Sequence, residues 1–166
     1  MKRGKGDSPV YTRNVNGQKE FIRPFGPDRE PYLKREMATR GVANLLGMPT
    51  TQMKVEDVPG IGRATVSPDI GARPVGANPV PPDQLSKAVT FDIIIGNGDS
   101  NRGNYFLKDG QIIGHDYELA FGNYGATEVA GTHDLIQKSG VNHYAVPLDK
   151  QMLVKAVQNK DAILEA

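Results

Sequence analysis

Alternation of apolar and polar residues in the first half of the chain predicts two pairs of short strands. Residues 10–25 divide around an Asn-Gly dipeptide at residues 16–17, which suits a tight hairpin turn. Residues 50–58 and 61–70 form a similar pair across a Pro-Gly dipeptide at residues 59–60. Within the second strand the period of two places Lys19, Phe21 and Arg23 on one face and Glu20 and Ile22 on the other.

Three segments have the apolar spacing of helices. Residues 32–49 predict a helix that ends at Gly47, and residues 83–97 predict a helix with Asp83 as its N-cap. Residues 148–166 predict a terminal amphipathic helix. The apolar residues expected near one face of the first helix are Leu33, Met37, Val42, Leu45 and Leu46.

The Pro-rich stretch at residues 71–82 separates a strand-rich half from a more helical half. It contains four of the twelve prolines, so we expect no regular structure there. Residues 105–116 predict a further hairpin over an Asp-Gly dipeptide, and the pattern weakens beyond Phe121. This order predicts an α+β protein with a cleft between lobes. The predicted parts are an N-terminal lobe at 1–72, a hinge at 73–82 and a C-terminal lobe at 83–166.

Composition narrows the classes of function. With 20 basic and 19 acidic residues, the net charge of +1 does not argue for nucleic acid or an anionic membrane as a partner. The absence of Cys excludes disulfides, thiolate metal sites and Cys nucleophiles. No segment approaches the about 18 apolar residues that span a bilayer, and no apolar stretch follows the basic start. We therefore expect a soluble, cytoplasmic protein.

A polar loop holds the candidate chemistry. In GNGDSNRGNYF, residues 96–106, Asp99 and Asn104 follow an apolar run, and Asp116 comes after the next hairpin. In a phosphoryl-transfer site, one carboxylate orients and deprotonates a hydroxyl, while an Asn and a second carboxylate supply oxygen ligands for Mg²⁺. Asp99 and Asn104 alone would be read as turn formers. The apolar approach, the hairpin and Asp116 together favour the site.

The stretch TFDIIIGNGDSNRGNYFLKDGQIIGHDYELAF, residues 90–121, resembles the catalytic and metal-binding segments of a known family. This is the phosphatidylinositol 3-/4-kinase-like and HipA-like branch of the protein-kinase-like fold. The resemblance implies ATP and Mg²⁺ as cofactors, Asp99 as the catalytic Asp, and Asn104 and Asp116 as metal ligands. The family usually has Arg-His after the catalytic Asp, where this chain has Ser and then Asn101. The Asn101 amide could hydrogen-bond a phosphate or the acceptor but cannot shuttle a proton.

Residues 17–49 are similar, more loosely, to the family's nucleotide-binding strand and the helix that follows it. On that alignment Arg23 takes the place of the phosphate-binding Lys, and Glu36 that of its helix partner. Lys19 lies on the same strand face and could substitute for Arg23. The remaining implied nucleotide contacts are Ser8, in a short phosphate-covering loop at residues 4–8, and Ser67 and Asp69, near the segment that meets adenine.

The expected fold is therefore a small, two-lobed protein-kinase-like one with a minimal helical C-terminal lobe. The expected activity is transfer of the γ-phosphoryl group of ATP to a hydroxyl, of a protein Ser/Thr or a small molecule rather than a lipid. The alternative is a degenerate kinase-like module that holds nucleotide or a partner protein. Only about fifty residues follow Asp116, whereas the family continues through several helices. The C-terminal lobe is thus expected to be minimal or completed within a larger assembly.

Overall fold

In a computed structural model, the chain folds into two antiparallel sheets and a set of helices. The structure describes residues 9–76, 78–122, 124–139 and 145–165. Ser8, with the predicted phosphate-covering loop, lies outside the described residues. The α+β class expected from the sequence is confirmed. The described chain divides into two compact units, which are taken in turn.

The first unit combines the described residues up to Pro31 with Thr51–Gly71. Its four strands follow the order β1-β2-β4-β3, all antiparallel, and both predicted hairpins are confirmed. Asn16 and Gly17 have φ of 50° and 83°, the left-handed pair that a tight two-residue turn needs. The strands are β1 (Tyr11–Val15), β2 (Gln18–Pro24), β3 (Lys54–Val58) and β4 (Gly62–Pro68).

The two faces of this sheet differ as the alternation in β2 predicts. One face carries a small apolar core and, beside it, a network in which Arg13 and Lys54 each pair with Glu20 and Glu56. The opposite face carries the exposed side chains of Lys19, Phe21 and Arg23 on β2. The buried apolar core of this unit consists of Ile22, Val58, Ala64 and Val66.

The second unit combines Tyr32–Thr50 with the described residues from Ala72 onward. A three-stranded antiparallel sheet of order β5-β6-β7 belongs to it. Its strands are β5 (Arg73–Pro74), β6 (Tyr105–Lys108) and β7 (Gln111–Gly114). The helices are α1 (Glu30–Leu46), α2 (Pro82–Ile95), α3 (Ala126–Thr132), α4 (Asp134–Ser139), α5 (Lys150–Gln158) and α6 (Lys160–Leu164).

From Tyr32 onward, helix α1 groups with this second unit, whereas the sequence placed all of residues 1–72 in one lobe. The reason is packing: Val42, Ala43 and Leu46 belong to the same buried core as α2. The predicted apolar face is wrong at two positions, because the side chains of Met37 and Leu45 are 42% and 38% exposed. Successive residues turn about 100° around the helix axis, which places Met37 and Leu45 on the side opposite Ala43.

Two predictions around the Pro-rich stretch need correction. Residues 71–82 do contain regular structure, because β5 pairs with β6 at this edge, where Pro is tolerated. Asp83 is not the N-cap of α2. That position is Pro81, and Pro82 begins the helix with its preset φ. Asp83 instead lies in the first turn, where a carboxylate is favoured by the helix dipole.

The C-terminal part of the chain is more divided than the sequence indicated. The hairpin over Asp109 and Gly110 is confirmed, with φ of 51° and 77°. Helices α3 and α4 were not predicted, and the single terminal helix is two, α5 and α6, separated at Asn159. Within the described ranges no helix is long and apolar enough to cross a membrane.

Candidate active site

The loop at residues 97–104 begins where α2 ends in a left-handed glycine. Gly96 has φ 55° and ψ 50°, and the N–H of Asn97 donates to the carbonyl of Asp92 at 2.9 Å. A Cβ at Gly96 would lie 2.9 Å from the carbonyl oxygen of Gly122. Position 96 therefore requires glycine both for its backbone conformation and for the close approach of another segment.

Asp99 is held by the two asparagines that follow it in this loop. The Asn104 Nδ2 donates to the Asp99 carbonyl at 3.0 Å and to Asp99 Oδ2 at 3.2 Å. Asn101 Nδ2 donates to Asp99 Oδ1 at 2.9 Å, while Asn101 Oδ1 accepts from the N–H of Gly103 at 2.8 Å. The half-buried Asp99 carboxylate thus has an amide N–H on each oxygen.

Asn97 is a further contributor, which sequence reasoning missed. Its buried side chain accepts from the Asp99 N–H at 3.2 Å and donates to the Asp99 carbonyl at 3.3 Å. The signal was present, because an Asn two residues before another polar residue commonly closes such a local turn. The backbone of Asp99 is therefore fixed as well as its carboxylate.

Asp116 lies on a segment that is bound to the loop on both sides. The N–H of His115 donates to the carbonyl of Asn104 at 2.7 Å, which extends the β6–β7 pairing by one residue. The N–H of Gly98 donates to the carbonyl of Leu119 at 3.4 Å. Asp116 itself has φ 60°, a left-handed conformation that is uncommon for a residue other than glycine. The backbone at Asp116 is thereby held next to Asn104.

The ring of Tyr124 packs against two glycines of these segments. A Cβ at Gly98 would lie 2.2 Å from the Tyr124 ring, and a Cβ at Gly122 would lie 2.4 Å from it. The ring therefore rests on the backbone of both glycines, yet it is 42% exposed. Gly98 directly precedes Asp99 in the chain.

A second anchor comes from the start of α4. The N–H of Asp134 donates to the carbonyl of Ser100, and Asp134 Oδ2 accepts from the N–H of Arg102, both at 3.1 Å. Arg102 in turn donates from Nη2 to the carbonyl of Asn78 at 2.7 Å. These residues are far apart in the sequence, so no local pattern indicated them.

The predicted nucleotide contacts of the first unit that the structure describes lie on its two central strands, β2 and β4, or directly after β4. Phe21 pairs with Ser67 across β2 and β4, and the N–H of Asp69 donates to the carbonyl of Lys19 at 2.8 Å. Lys19 Nζ lies 4.0 Å from Asp69 Oδ2 and 4.8 Å from the centre of the Phe21 ring. Arg23 follows on the same exposed face of β2. The structure thus brings Lys19, Ser67 and Asp69 together.

Glu36 belongs to the second unit, on α1. Its carboxylate lies 3.0 Å from Arg40 Nη1, one turn along the helix, and both side chains are largely buried. Its predicted role as the partner of Arg23 joins residues of different units and stays a prediction.

The donor set is compatible with Mg²⁺, the metal that the resemblance implies. Mg²⁺ binds a few protein oxygens and completes its shell with phosphate and water oxygens. Because a carboxylate only accepts, Asn104 must turn its Nδ2 toward Asp99, which directs its Oδ1 to the other side of the amide. That oxygen and the Asp116 carboxylate are the candidate ligands. In the described part of the chain, no group of three or more His, Cys, Asp or Glu side chains could hold a metal.

Comparison of the chain with protein-family models and with curated proteins finds no match. The resemblance over residues 90–121 therefore rests on the residues themselves.

Proposed function

We propose that this protein is an ATP- and Mg²⁺-dependent phosphotransferase that moves the γ-phosphoryl group to a hydroxyl. A protein Ser/Thr or a small molecule is the favoured acceptor, since the net charge of +1 offers no basic excess for an anionic lipid surface. One observation carries the proposal. The side-chain amide of Asn104 donates a hydrogen bond to the Asp99 carboxylate. The main-chain carbonyl of Asn104 accepts one from the N–H of His115, the residue before Asp116.

Asp99 would accept the hydrogen bond of the acceptor hydroxyl. Each carboxylate oxygen has two lone pairs, so one amide N–H on each oxygen leaves room for a further donor. The amide hydrogen bonds fix the direction of that carboxylate before the acceptor binds, which lowers the entropic part of the barrier. In this role Asn101 positions Asp99, because both ends of its amide are engaged within the loop.

Asn104 Oδ1 and the Asp116 carboxylate would hold Mg²⁺. When bound, the metal neutralises charge on the nucleotide phosphates. Asn104 would then join the two halves of the site, because its Nδ2 holds the acceptor-orienting carboxylate while its Oδ1 would be a ligand of the metal. Phosphate binding would fall to Lys19 or Arg23 of the first unit. The Lys19 ammonium is loosely paired at 4.0 Å, so a phosphate can replace Asp69 as its partner.

A second candidate function is a kinase-like module that holds nucleotide without transferring phosphate. The amide N–H groups on both Asp99 oxygens favour it, because Asn101 and Asn104 then hold the carboxylate as part of the loop structure, without an acceptor. The Asn101 amide, which cannot carry a proton, favours it as well.

Two measurements separate these functions. Thermal unfolding with ATP, with and without Mg²⁺, reports binding, and transfer of labelled γ-phosphate to protein and small-molecule acceptors reports catalysis. The phosphotransferase proposal expects Asp99→Asn to lower transfer about a hundredfold or more while Mg²⁺-dependent stabilisation remains. Asp116→Asn should weaken that stabilisation.

Asp109→Asn is the matched control. Asp109 lies in an exposed hairpin turn at φ 51°, which Asn tolerates, so transfer and binding should match the parent protein. Stabilisation by Mg²⁺ and ATP without transfer supports the second candidate. Absence of any Mg²⁺-dependent stabilisation excludes the phosphotransferase, and absence of any stabilisation by ATP excludes both candidates.

A further inference from the structure

Three fully buried polar side chains meet at one carboxylate oxygen next to the candidate loop. The Tyr105 hydroxyl donates to Asp92 Oδ2, and His133 Nε2 lies 3.2 Å from the same oxygen. The Tyr105 and His133 rings stack, with centres 5.7 Å apart and an angle of 24° between their planes. All three residues have zero exposure, and we call them the Asp92 cluster.

The surroundings of Tyr105 determine whether its hydroxyl is protonated. Burial, and then the charge of Asp92, raises the pKa of the Tyr105 hydroxyl well above its usual value, so that hydroxyl stays protonated and donates. His133 Nε2 lies 3.2 Å from Asp92 Oδ2 and 3.4 Å from the Tyr105 hydroxyl oxygen. Side chains from two other elements of the fold therefore meet at the Asp92 carboxylate.

The Asp92 cluster is poorly explained as a packing core. Asp92 Oδ1 and His133 Nδ1 are buried and have no hydrogen-bond partner among the described residues. Unpartnered buried polar atoms are destabilising, and apolar side chains of similar volume would fill the same space at less cost. Retention of a carboxylate and an imidazole here calls for a reason other than stability.

Tyr105 and His133 are adjacent in the chain to residues that hold the loop, and Asp92 contacts the loop directly. Tyr105 directly follows Asn104, and His133 directly precedes Asp134, which binds Ser100 and Arg102. The carbonyl of Asp92 accepts from the N–H of Asn97 at the loop's start. Asp92 Oδ2 thus connects α2, β6 and the α3–α4 junction at the points where each meets the loop.

We propose that Asp92, Tyr105 and His133 are positioning residues, which fix the loop so that Asp99 and Asn104 are aligned before acceptor and nucleotide bind. The catalytic consequence rests on the proposed phosphotransferase function. The loop-fixing role does not, and it has its own measurement.

Amide hydrogen exchange of a peptide covering residues 97–104 tests the loop-fixing role without substrate. Tyr105→Phe removes only the hydroxyl, and exchange in this segment should rise about ten- to a hundredfold, the effect of losing a hydrogen bond to a charged group. Tyr117→Phe is the matched control. Tyr117 is equally buried, but its hydroxyl has no partner among the described residues, so exchange should not change.

Kinetics test the positioning role. Tyr105→Phe and Asp92→Asn should lower kcat about ten- to a hundredfold and leave the KM for ATP unchanged, since misalignment affects the reaction more than nucleotide binding. His133→Gln, which keeps an N–H donor, should retain more activity than His133→Leu. Circular dichroism establishes that each variant folds, and Asp92→Asn replaces Tyr105→Phe if the latter does not.

The outcomes separate this inference from the proposed function. Unchanged exchange at residues 97–104 in folded Tyr105→Phe overturns the inference, whatever the activity. Faster exchange with unchanged kcat also overturns it. Faster exchange in a protein whose parent form transfers no phosphate supports the loop-fixing role and overturns the phosphotransferase proposal instead.

Discussion

Asn104 donates from one amide nitrogen to both the carbonyl and the carboxylate of Asp99, at 3.0 and 3.2 Å. The contact spans the loop between them and closes it into a compact turn. Because Asn104 is buried and begins the strand pairing with His115, the position of the Asp99 carboxylate is tied to the β6–β7 hairpin. The hairpin thereby limits the movement of Asp99, although Asp99 lies in a polar loop.

Replacement of Asn104 by Asp tests this contact directly. The change removes the donor and sets a second carboxylate against Asp99 Oδ2 at hydrogen-bonding distance. We expect a loss of about 1–3 kcal/mol in the free energy of unfolding and loss of Mg²⁺-dependent transfer. Urea unfolding measures the first effect. Asn101→Asp is the comparison, because its exposed site should show a smaller loss, and equal losses would contradict a special role for the buried contact.

Gly96→Ala should destabilise the protein for two separable reasons. The substitution strains a backbone with φ 55° and places a Cβ 2.9 Å from the carbonyl oxygen of Gly122. Gly110→Ala supplies the control, since it has φ 77° and nothing within 4 Å of its Cβ. Gly110→Ala should cost about 1 kcal/mol and Gly96→Ala at least about 1 kcal/mol more, by thermal or urea unfolding. Equal losses of stability in the two variants would show that the Gly122 segment moves away from the added Cβ without cost.

Stability should fall in acid through Glu20. The hydrogen bond from Arg13 lowers the pKa of Glu20 below its ordinary value near 4.5. The unfolded chain therefore takes up the proton first, and stability present above about pH 4.5 is lost as pH falls below it. Melting temperatures from pH 3 to 6 should drop less steeply for Glu20→Gln than for the parent protein. Identical slopes would show that the ion pair does not persist in solution.

Lys19→Ala should weaken ATP binding if its ammonium holds phosphate. We expect about a tenfold rise in Kd, measured by calorimetry at fixed Mg²⁺, because one charged contact is lost. Gln18→Ala is the neighbouring control, since Gln18 is exposed on the other face of β2. A larger effect of Arg23→Ala than of Lys19→Ala would assign the phosphate contact to Arg23.

The hairpins were predictable because each depends on two adjacent residues. The Asn-Gly and Asp-Gly dipeptides supply the left-handed conformations found at residues 16–17 and 109–110. The sequence also placed Asp99 and Asn104 in one short loop, although it did not indicate the hydrogen bond between them. Local chemistry decides such features, and the sequence displays it.

The inward face of α1 could not be predicted in the same way. Met37 and Leu45 are apolar but exposed, while Thr39 and Arg40 are buried, so the face depends on what packs against the helix. The Asp92 cluster was hidden for the same reason, because Asp92 and His133 meet only through tertiary structure. Asp92 read as one polar position in an apolar run, and nothing local marked its partner.

The ring of Tyr124, resting on Gly98 and Gly122, also constrains how the sequence can diverge. Neither glycine has room for a methyl group while that ring is in place. Among descendants of a common ancestor, a side chain at either glycine should therefore appear only together with a smaller residue at position 124. The three positions should vary as one inherited set, and a collection of orthologues would record the constraint without any experiment on this protein.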